Sequence, residues 1–201
     1  MIYKIKKIIS YYSISDLIDA IKSYFNLRYL FFKQRFFGKY TLRNRRNIFI
    51  GKNVKFYHNF FAEAHNKGKI IIEEGCVFNR NIYLTSFMEI KIGKNSLFGP
   101  NVFIGDHDHG SYEGNIHSNP KEIPIMRGIY PEKISIGDNV WVGNNVTITK
   151  GTQIGEGSVI GANSVVKGHI PPFSLAVGSP AKVKKRFSIK KGKWVKVSKN
   201  D

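Results

Sequence analysis

From Ile136 the chain reads IGDNVW, VGNNVT, ITKGTQ, IGEGSV, IGANSV, VKGHIP, six consecutive blocks of six residues. Position one is aliphatic in every block: Ile136, Val142, Ile148, Ile154, Ile160, Val166. Position two is mostly glycine (Gly137, Gly143, Gly155, Gly161). Position five is small or β-branched in the first five blocks (Val140, Val146, Thr152, Ser158, Ser164). The same frame opens at Ile92, Phe98 and Ile104, more weakly at Ile72, and as a fragment at Ile50. A period of six fits neither the helical 3.6 nor the strand's two. It suits a short strand followed by a sharp corner, repeated, with the aliphatic side chain pointing inward. Three such steps close a triangular coil, and stacked coils bury a continuous core. Glycine at position two is expected to free the corner backbone, and the small position-five residues to fit where the interior narrows. The expected fold class is an all-β solenoid.

The stretches "IGDNVWVGNNVTI", "IGEGSVIGANSVV" and "IPPFSLAVGSPAKVKKR" carry a resemblance over residues 90–186. The chain resembles the hexapeptide-repeat acyltransferases, whose fold is the left-handed parallel β-helix. It is similar to the maltose and galactoside acetyltransferase group, and closer still to O-acetyltransferases of bacterial capsules and O-antigens. The left hand is implied by the resemblance alone, since the general rule for parallel crossovers favours the right. The resemblance implies an acetyl-CoA-dependent O-acetyltransferase, a glycan or sugar acceptor, and a homotrimer with active sites between subunits. A small-molecule enzyme acting on an antibiotic or on serine is the alternative.

The repeat breaks once. Ile104 and Ile136 are 32 residues apart, which is not a multiple of six, so about thirty residues leave the prism as a loop at about 105–135. Long loops in compact domains are commonly functional, and this one leaves beside "GDHDHG". His109 falls at position six of its block, at the corner of departure, and His107 lies two residues earlier. By resemblance His109 is the catalytic base, after the Pro100–Val102 turn, and His107 supports it. "DHDHG" departs from the Thr-His-Pro-like run of the sugar enzymes, which leaves both histidines as candidates. Imidazole titrates near neutrality and can take a hydroxyl proton as the oxygen attacks a thioester carbonyl. Asp106 or Asp108 could orient an imidazole or cap the turn, Asp108 falling at an inward-type position. His117 lies in the loop and could line an acceptor pocket. His58, His65 and His169 read as surface or packing residues.

Further roles rest on the resemblance. Asn79 matches an acceptor-binding asparagine thirty residues before His109. Trp141 matches a tryptophan beside the active site. Gly143, Gly161, Ala162, Lys167 and Arg186 match the surface that holds coenzyme A. No metal is expected: the related zinc enzymes use three histidines with an H-x-x-x-x-H pair, a spacing this chain lacks. No G-x-S-x-G nucleophile occurs, and Cys76 is the only cysteine.

The net charge of +18 sits at the two ends. Residues 1–46 hold 11 Lys/Arg against Asp16 and Asp19; residues 182–201 hold 9 against Asp201; residues 47–181 hold 12 against 11 acids. A neutral body without groove-reading motifs argues against nucleic acid. Basic ends with aromatics suit peripheral contact with an anionic membrane surface. The start "MIYKIKKIISYYSIS" lacks a signal-peptide core and cleavage site, and no apolar run reaches the roughly 20 residues of a membrane span. A cytoplasmic location is expected. The organisation reads as a basic, aromatic, helical cap over 1–46, a solenoid over 47–172, and a turn with a basic tail over 173–201. Pro171 and Pro172 are expected to stop ladder pairing.

Overall fold

The computed structural model describes residues 35–197. Their strands lie on three faces of a prism. Face A carries Arg35–Phe36, Lys55–Phe56, Val77–Phe78, Leu97–Phe98, Trp141–Val142, Val159–Ile160 and Ser174–Gly178. Face B carries Tyr40–Arg43, Phe60–Ala64, Ile82–Ser86, Val102–Gly105, Thr147–Ile148 and Val165–Val166. Face C carries Ile48–Ile50, Lys69–Ile72, Glu89–Ile92, Ile134–Ile136, Gln153–Ile154 and His169–Ile170. The chain visits A, B and C in turn for about seven turns, each strand pairing in parallel with the coil above and below. The expected left-handed parallel β-helix is the fold.

The core is three columns of side chains, one per face. Face A contributes Phe36, Phe56, Phe78, Phe98, Val142, Ile160 and Ala176, all buried, so the column tapers toward the C-terminal end. Phe56, Phe78 and Phe98 stack at ring separations of 5.3 and 4.6 Å. The inward position of face C is isoleucine on all six coils, from Ile50 to Ile170. The position-five residues Val140, Val146, Thr152, Ser158 and Ser164 are buried, as expected. Cys76 is buried too and donates its thiol to the Gly93 carbonyl at 3.0 Å. Burial pushes that thiol up to about 11, which suits packing and not nucleophilic attack.

The six-residue step is kept on two corners and abandoned on the third. Every passage from the inward residue of A to that of B takes six residues, as from Phe78 to Leu84 or Ile160 to Val166. Every passage from C to A also takes six, as from Ile92 to Phe98. From B to C the step is eight residues (Leu42 to Ile50), ten (Ala62 to Ile72) and eight (Leu84 to Ile92). It is then thirty-two (Ile104 to Ile136), six (Ile148 to Ile154) and four (Val166 to Ile170). All length variation, the long loop included, leaves from the BC corner.

Position-two glycine does not do what the pattern suggested. None of Gly137, Gly143, Gly155 and Gly161 has a positive φ. They are needed because the next coil passes too close: a Cβ on Gly155 would lie 2.3 Å from the Pro172 nitrogen. The left-handed residues sit at position four and are mostly asparagine, at φ of 54–59° for Asn95, Asn101, Asn139, Asn145 and Asn163. Asparagine tolerates that region better than other L-residues. At the AB corner these side chains form a ladder, Asn59 to Asn81 to Asn101 to Asn145 to Asn163, with amide hydrogen bonds of 2.9–3.0 Å.

Three boundaries differ from expectation. Residues 35–46 belong to the solenoid: Phe36 joins the phenylalanine column, stacking on Phe56 at 4.4 Å, and Tyr40–Arg43 pairs with Phe60–Glu63. The helical cap expected further upstream lies outside the described residues. Pro171 and Pro172 do not end pairing, because they occupy a CA corner where no ladder donor is required; Ser174–Gly178 continues face A. The basic tail is a β-hairpin, Ala181–Ser188 with Lys193–Lys196, added antiparallel to that last strand. Lysines alternate with apolar residues over 181–184, and Phe187 is set opposite Trp194.

Candidate active site

The BC corner stacks chemistry on equivalent positions of successive coils. Ala64 pairs with Ser86 and Thr85 with Gly105, so the residues that leave the corner are His65, Phe87 and His107. His65 lies flat on Phe87, with ring centroids 4.2 Å apart and planes 11° apart. Phe87 meets His107 edge-on at 4.4 Å, and His109 stands 6.1 Å beyond His107. Glu63 lies 3.7 Å from the His65 Nε2. The sequence treated His65 as unconnected to any site. The pairing of successive coils places it in register with His107.

Asp106 fixes this corner. Its carboxylate is fully buried and accepts hydrogen bonds from the Ser86 hydroxyl at 2.7 Å and from the Phe87 and Met88 amides at 2.8 Å. The same carboxylate lies 3.3 Å from His107 Nδ1. It therefore both caps the turn below and orients the imidazole above. Asp108, expected to face inward, is exposed and pairs with Lys150 at 3.2 Å. The reason is that the chain leaves the prism at Asp106: His107–His109 forms a strand paired antiparallel with Ile129–Pro131 at the base of the loop, outside the coil's inward alternation. His107 thus occupies the corner and His109 stands one step out along the loop.

The two imidazoles differ in environment. The His107 side chain is only 12% exposed. Burial lowers its pKa below 6.5, opposed by Asp106, so the ring is neutral at pH 7. His109 is exposed, and its carbonyl accepts the Tyr112 hydroxyl at 2.6 Å. Tyr112 in turn accepts from Arg127, which also donates to the Pro120 and Glu122 carbonyls and so ties the loop to itself. The outer part of the loop exposes Ile116, Ile123, Ile125 and Met126. His117 is exposed on that outer part and takes no part in the ring cluster.

Alternation along His107–His109 turns Asp108 to the other side of the loop. There a cleft of about 580 Å³ runs down the BC corner, lined among others by Asp108, Tyr130, Lys150, Lys167 and Gly168. Lys150 bridges Asp108 and Glu132, at 3.2 and 3.6 Å. Lys167 pairs with Glu113 of the loop at 2.5 Å, which raises the lysine's pKa and lowers the carboxyl's.

The remaining expected residues fall elsewhere. Trp141 is 53% exposed on the outer side of face A, between Leu97 and Val159. Gly143 and Ala162 are neighbours at the AB corner, where a Cβ on Gly143 would lie 2.8 Å from the Ala162 amide. Gly161 packs beside Val177. Asn79 lies at the same AB corner, one corner away from the histidines of its own chain. Arg186 is on the C-terminal hairpin, opposite Ser174 and Val195. A single chain therefore groups Asn79, Gly143, Gly161 and Ala162 along AB, and His107, His109 and Lys167 along BC. Among the described residues, no three His, Cys, Asp or Glu side chains are placed to hold a metal ion.

Comparison with known proteins agrees with this architecture. Residues 133–168 match the family described as bacterial transferase hexapeptide (six repeats). The chain is 33% identical, over 156 residues, to a protein of Escherichia coli (strain K12) named as a lipopolysaccharide biosynthesis O-acetyl transferase, WbbJ; the match covers 77% of this chain and 80% of that one. Among solved structures it resembles the hexapeptide-repeat acetyltransferase VCA0836 of Vibrio cholerae (25% identity, TM-score 0.57, 83% of this chain and 80% of that chain). It also resembles a galactoside acetyltransferase in complex with coenzyme A (27% identity, TM-score 0.53, 77% and 67%). A hexapeptide solenoid with one long histidine-bearing loop, 33% identical over 77% of its length to that Escherichia coli protein, this chain belongs to the hexapeptide-repeat acetyltransferase family.

Proposed function

We propose that the protein is an acetyl-CoA-dependent O-acetyltransferase that acts on a hydroxyl of a bacterial surface glycan, of the capsule or O-antigen kind, or its precursor. The observation that carries the reading is the corner assembly of Asp106, His107 and His109 at the root of the loop. His109, the exposed imidazole, is the general base. His107, oriented by the buried Asp106 and neutral at pH 7, supports it from behind. The acceptor oxygen bonds to the acetyl carbon as its proton passes to His109. The carbon–sulfur bond then breaks, and the thiolate leaves with the proton returned from the imidazolium. Direct transfer needs no enzyme nucleophile, in keeping with the buried, high-pKa thiol of Cys76.

Coenzyme A is held by Trp141, Gly143, Gly161, Ala162, Lys167 and Arg186, and the acceptor by Asn79, Trp141 and His117. Asn79, Gly143, Gly161 and Ala162 lie along the AB corner and Lys167 with the histidines along BC, so the reading requires a homotrimer in which the AB corner of one copy faces the BC corner and loop of the next. The enzyme works in the cytoplasm, with its basic ends in peripheral contact with the membrane's anionic face. Among the described residues no helix is long and apolar enough to cross a membrane. Calorimetric titration with acetyl-CoA tests the core of the reading. Saturable micromolar binding is expected, one site per chain, in a trimeric sample. A folded trimer that binds no acetyl-CoA would overturn the coenzyme assignment.

A further inference from the structure

The C-terminal hairpin is the most one-sided surface among the described residues. Residues 181–197 contain eight Lys and Arg and no Asp or Glu. Among the described residues no carboxylate pairs with any of the eight. The hairpin register sets Lys185 opposite Lys196, Phe187 opposite Trp194 and Arg186 opposite Val195. Directly opposed and alternate residues share a face. One face therefore carries Phe187 and Trp194, in edge contact at 5.6 Å, flanked by Lys185 and Lys196. Arg186 lies on the opposite face, beside Val195. The turn presents Ile189, Lys190 and Lys191, with Ile189 80% exposed.

Charge alone would suit any polyanion. The apolar groups narrow the choice. A leucine-sized side chain exposed at a tip, an indole beside a phenyl ring, and lysines around them match the layered polarity of a lipid interface. There the aliphatic tip enters the acyl boundary, the indole sits at headgroup depth, and ammonium groups reach the phosphates. A soluble polyanionic glycan offers no apolar phase for Ile189 or Trp194.

We propose that this hairpin, through its Phe187–Trp194 face and Ile189–Lys191 tip, docks the enzyme on an anionic phospholipid surface. The inference rests on the reading of the basic ends given above and names the element and the chemistry. Docking by the hairpin would hold the acceptor site near lipid-borne glycan precursors, and it leaves Arg186 free on the other face.

The test is co-sedimentation of the full chain with vesicles of phosphatidylglycerol and phosphatidylcholine, and with phosphatidylcholine alone. Binding to the anionic vesicles is expected, weakening as salt rises. The Lys190→Glu/Lys191→Glu variant should lose at least ~10-fold in vesicle affinity, and Ile189→Ser a smaller factor, with thermal midpoints unchanged because the sites are exposed. Unchanged vesicle binding by the double variant would overturn the proposal, since other basic regions would then supply the contact. Binding to dextran sulfate that equals vesicle binding and ignores Ile189→Ser would overturn it in favour of a soluble polyanion. Acetyl-CoA titration of the same samples reads the transferase assignment separately, so either can fail alone.

Discussion

The AB and BC corners share every coil, yet they behave oppositely. At AB the step never departs from six residues, and each coil from Asn59 on places an asparagine in the ladder. At BC the step runs from four to thirty-two, and the corner carries His65, Phe87, His107, Lys150 and Lys167. The fixed corners hold registry, because the inward residue of each strand must meet its column. One corner can vary in length without disturbing any column, provided the chain re-enters at the right isoleucine. Reactive groups gather where registry imposes least.

The largest expected effect tests this directly. One alanine inserted between Pro100 and Asn101 shifts the strand Val102–Gly105 by one residue and turns its inward set outward. Loss of soluble folded protein is expected. Two glycines inserted after Lys67, at the exposed BC turn, should lower the thermal midpoint by less than about 4 °C. Equal damage from both insertions would abolish the distinction.

Point substitutions should separate stability from activity along the same line. Phe78→Ala removes the middle of the phenylalanine column and should cost about 3–5 kcal/mol by denaturant unfolding. His109→Ala, on the variable corner, should leave unfolding within about 0.5 kcal/mol while lowering acetyl transfer by ~10²-fold or more. If His109→Ala keeps full activity and His107→Ala loses it, the base is His107.

The ladder sharpens the picture at lower energy. Asn101→Ala breaks two amide hydrogen bonds at a φ of 58° and should cost about 1–2 kcal/mol. Asn101→Gly keeps the backbone unstrained and should cost less. A larger loss for glycine than for alanine would show that conformation is not what asparagine supplies here.

The smallest effect concerns pH. Burial holds His107 below its ordinary 6.5, so the unfolded chain takes up this proton first as pH falls. The neutral ring's contribution is complete above 6.5 and is lost as pH falls through the lowered folded value. The thermal midpoint should therefore fall more steeply between pH 7 and pH 5 in the parent than in His107→Gln. Parallel curves would mean that His107 is not held neutral.

The sequence alone determined the solenoid, its inward aliphatic positions and the one long loop. Those follow from the six-residue step kept at two of the three corners, which a stack of equivalent coils must write into its residues. It also pointed to His107 and His109, because both lie at the break itself. It misassigned the job of glycine, since close approach between coils 16–22 residues apart and positive φ leave the same local composition. It did not join His65 to His107, because 42 residues separate them and each stands where the chain leaves its own irregular BC corner. It read Asp108 as inward by extending the repeat past the point where the chain leaves the coil. It also read the basic tail as a tail, because the run of basic residues over 184–186 breaks the period-two alternation and gave no strand signal, and the pairing of Phe187 with Trp194 is made only across the hairpin. Tertiary structure decided these points: which residues meet at a corner depends on where each chain segment rejoins its column. That is set by packing across coils and not by distance along the chain.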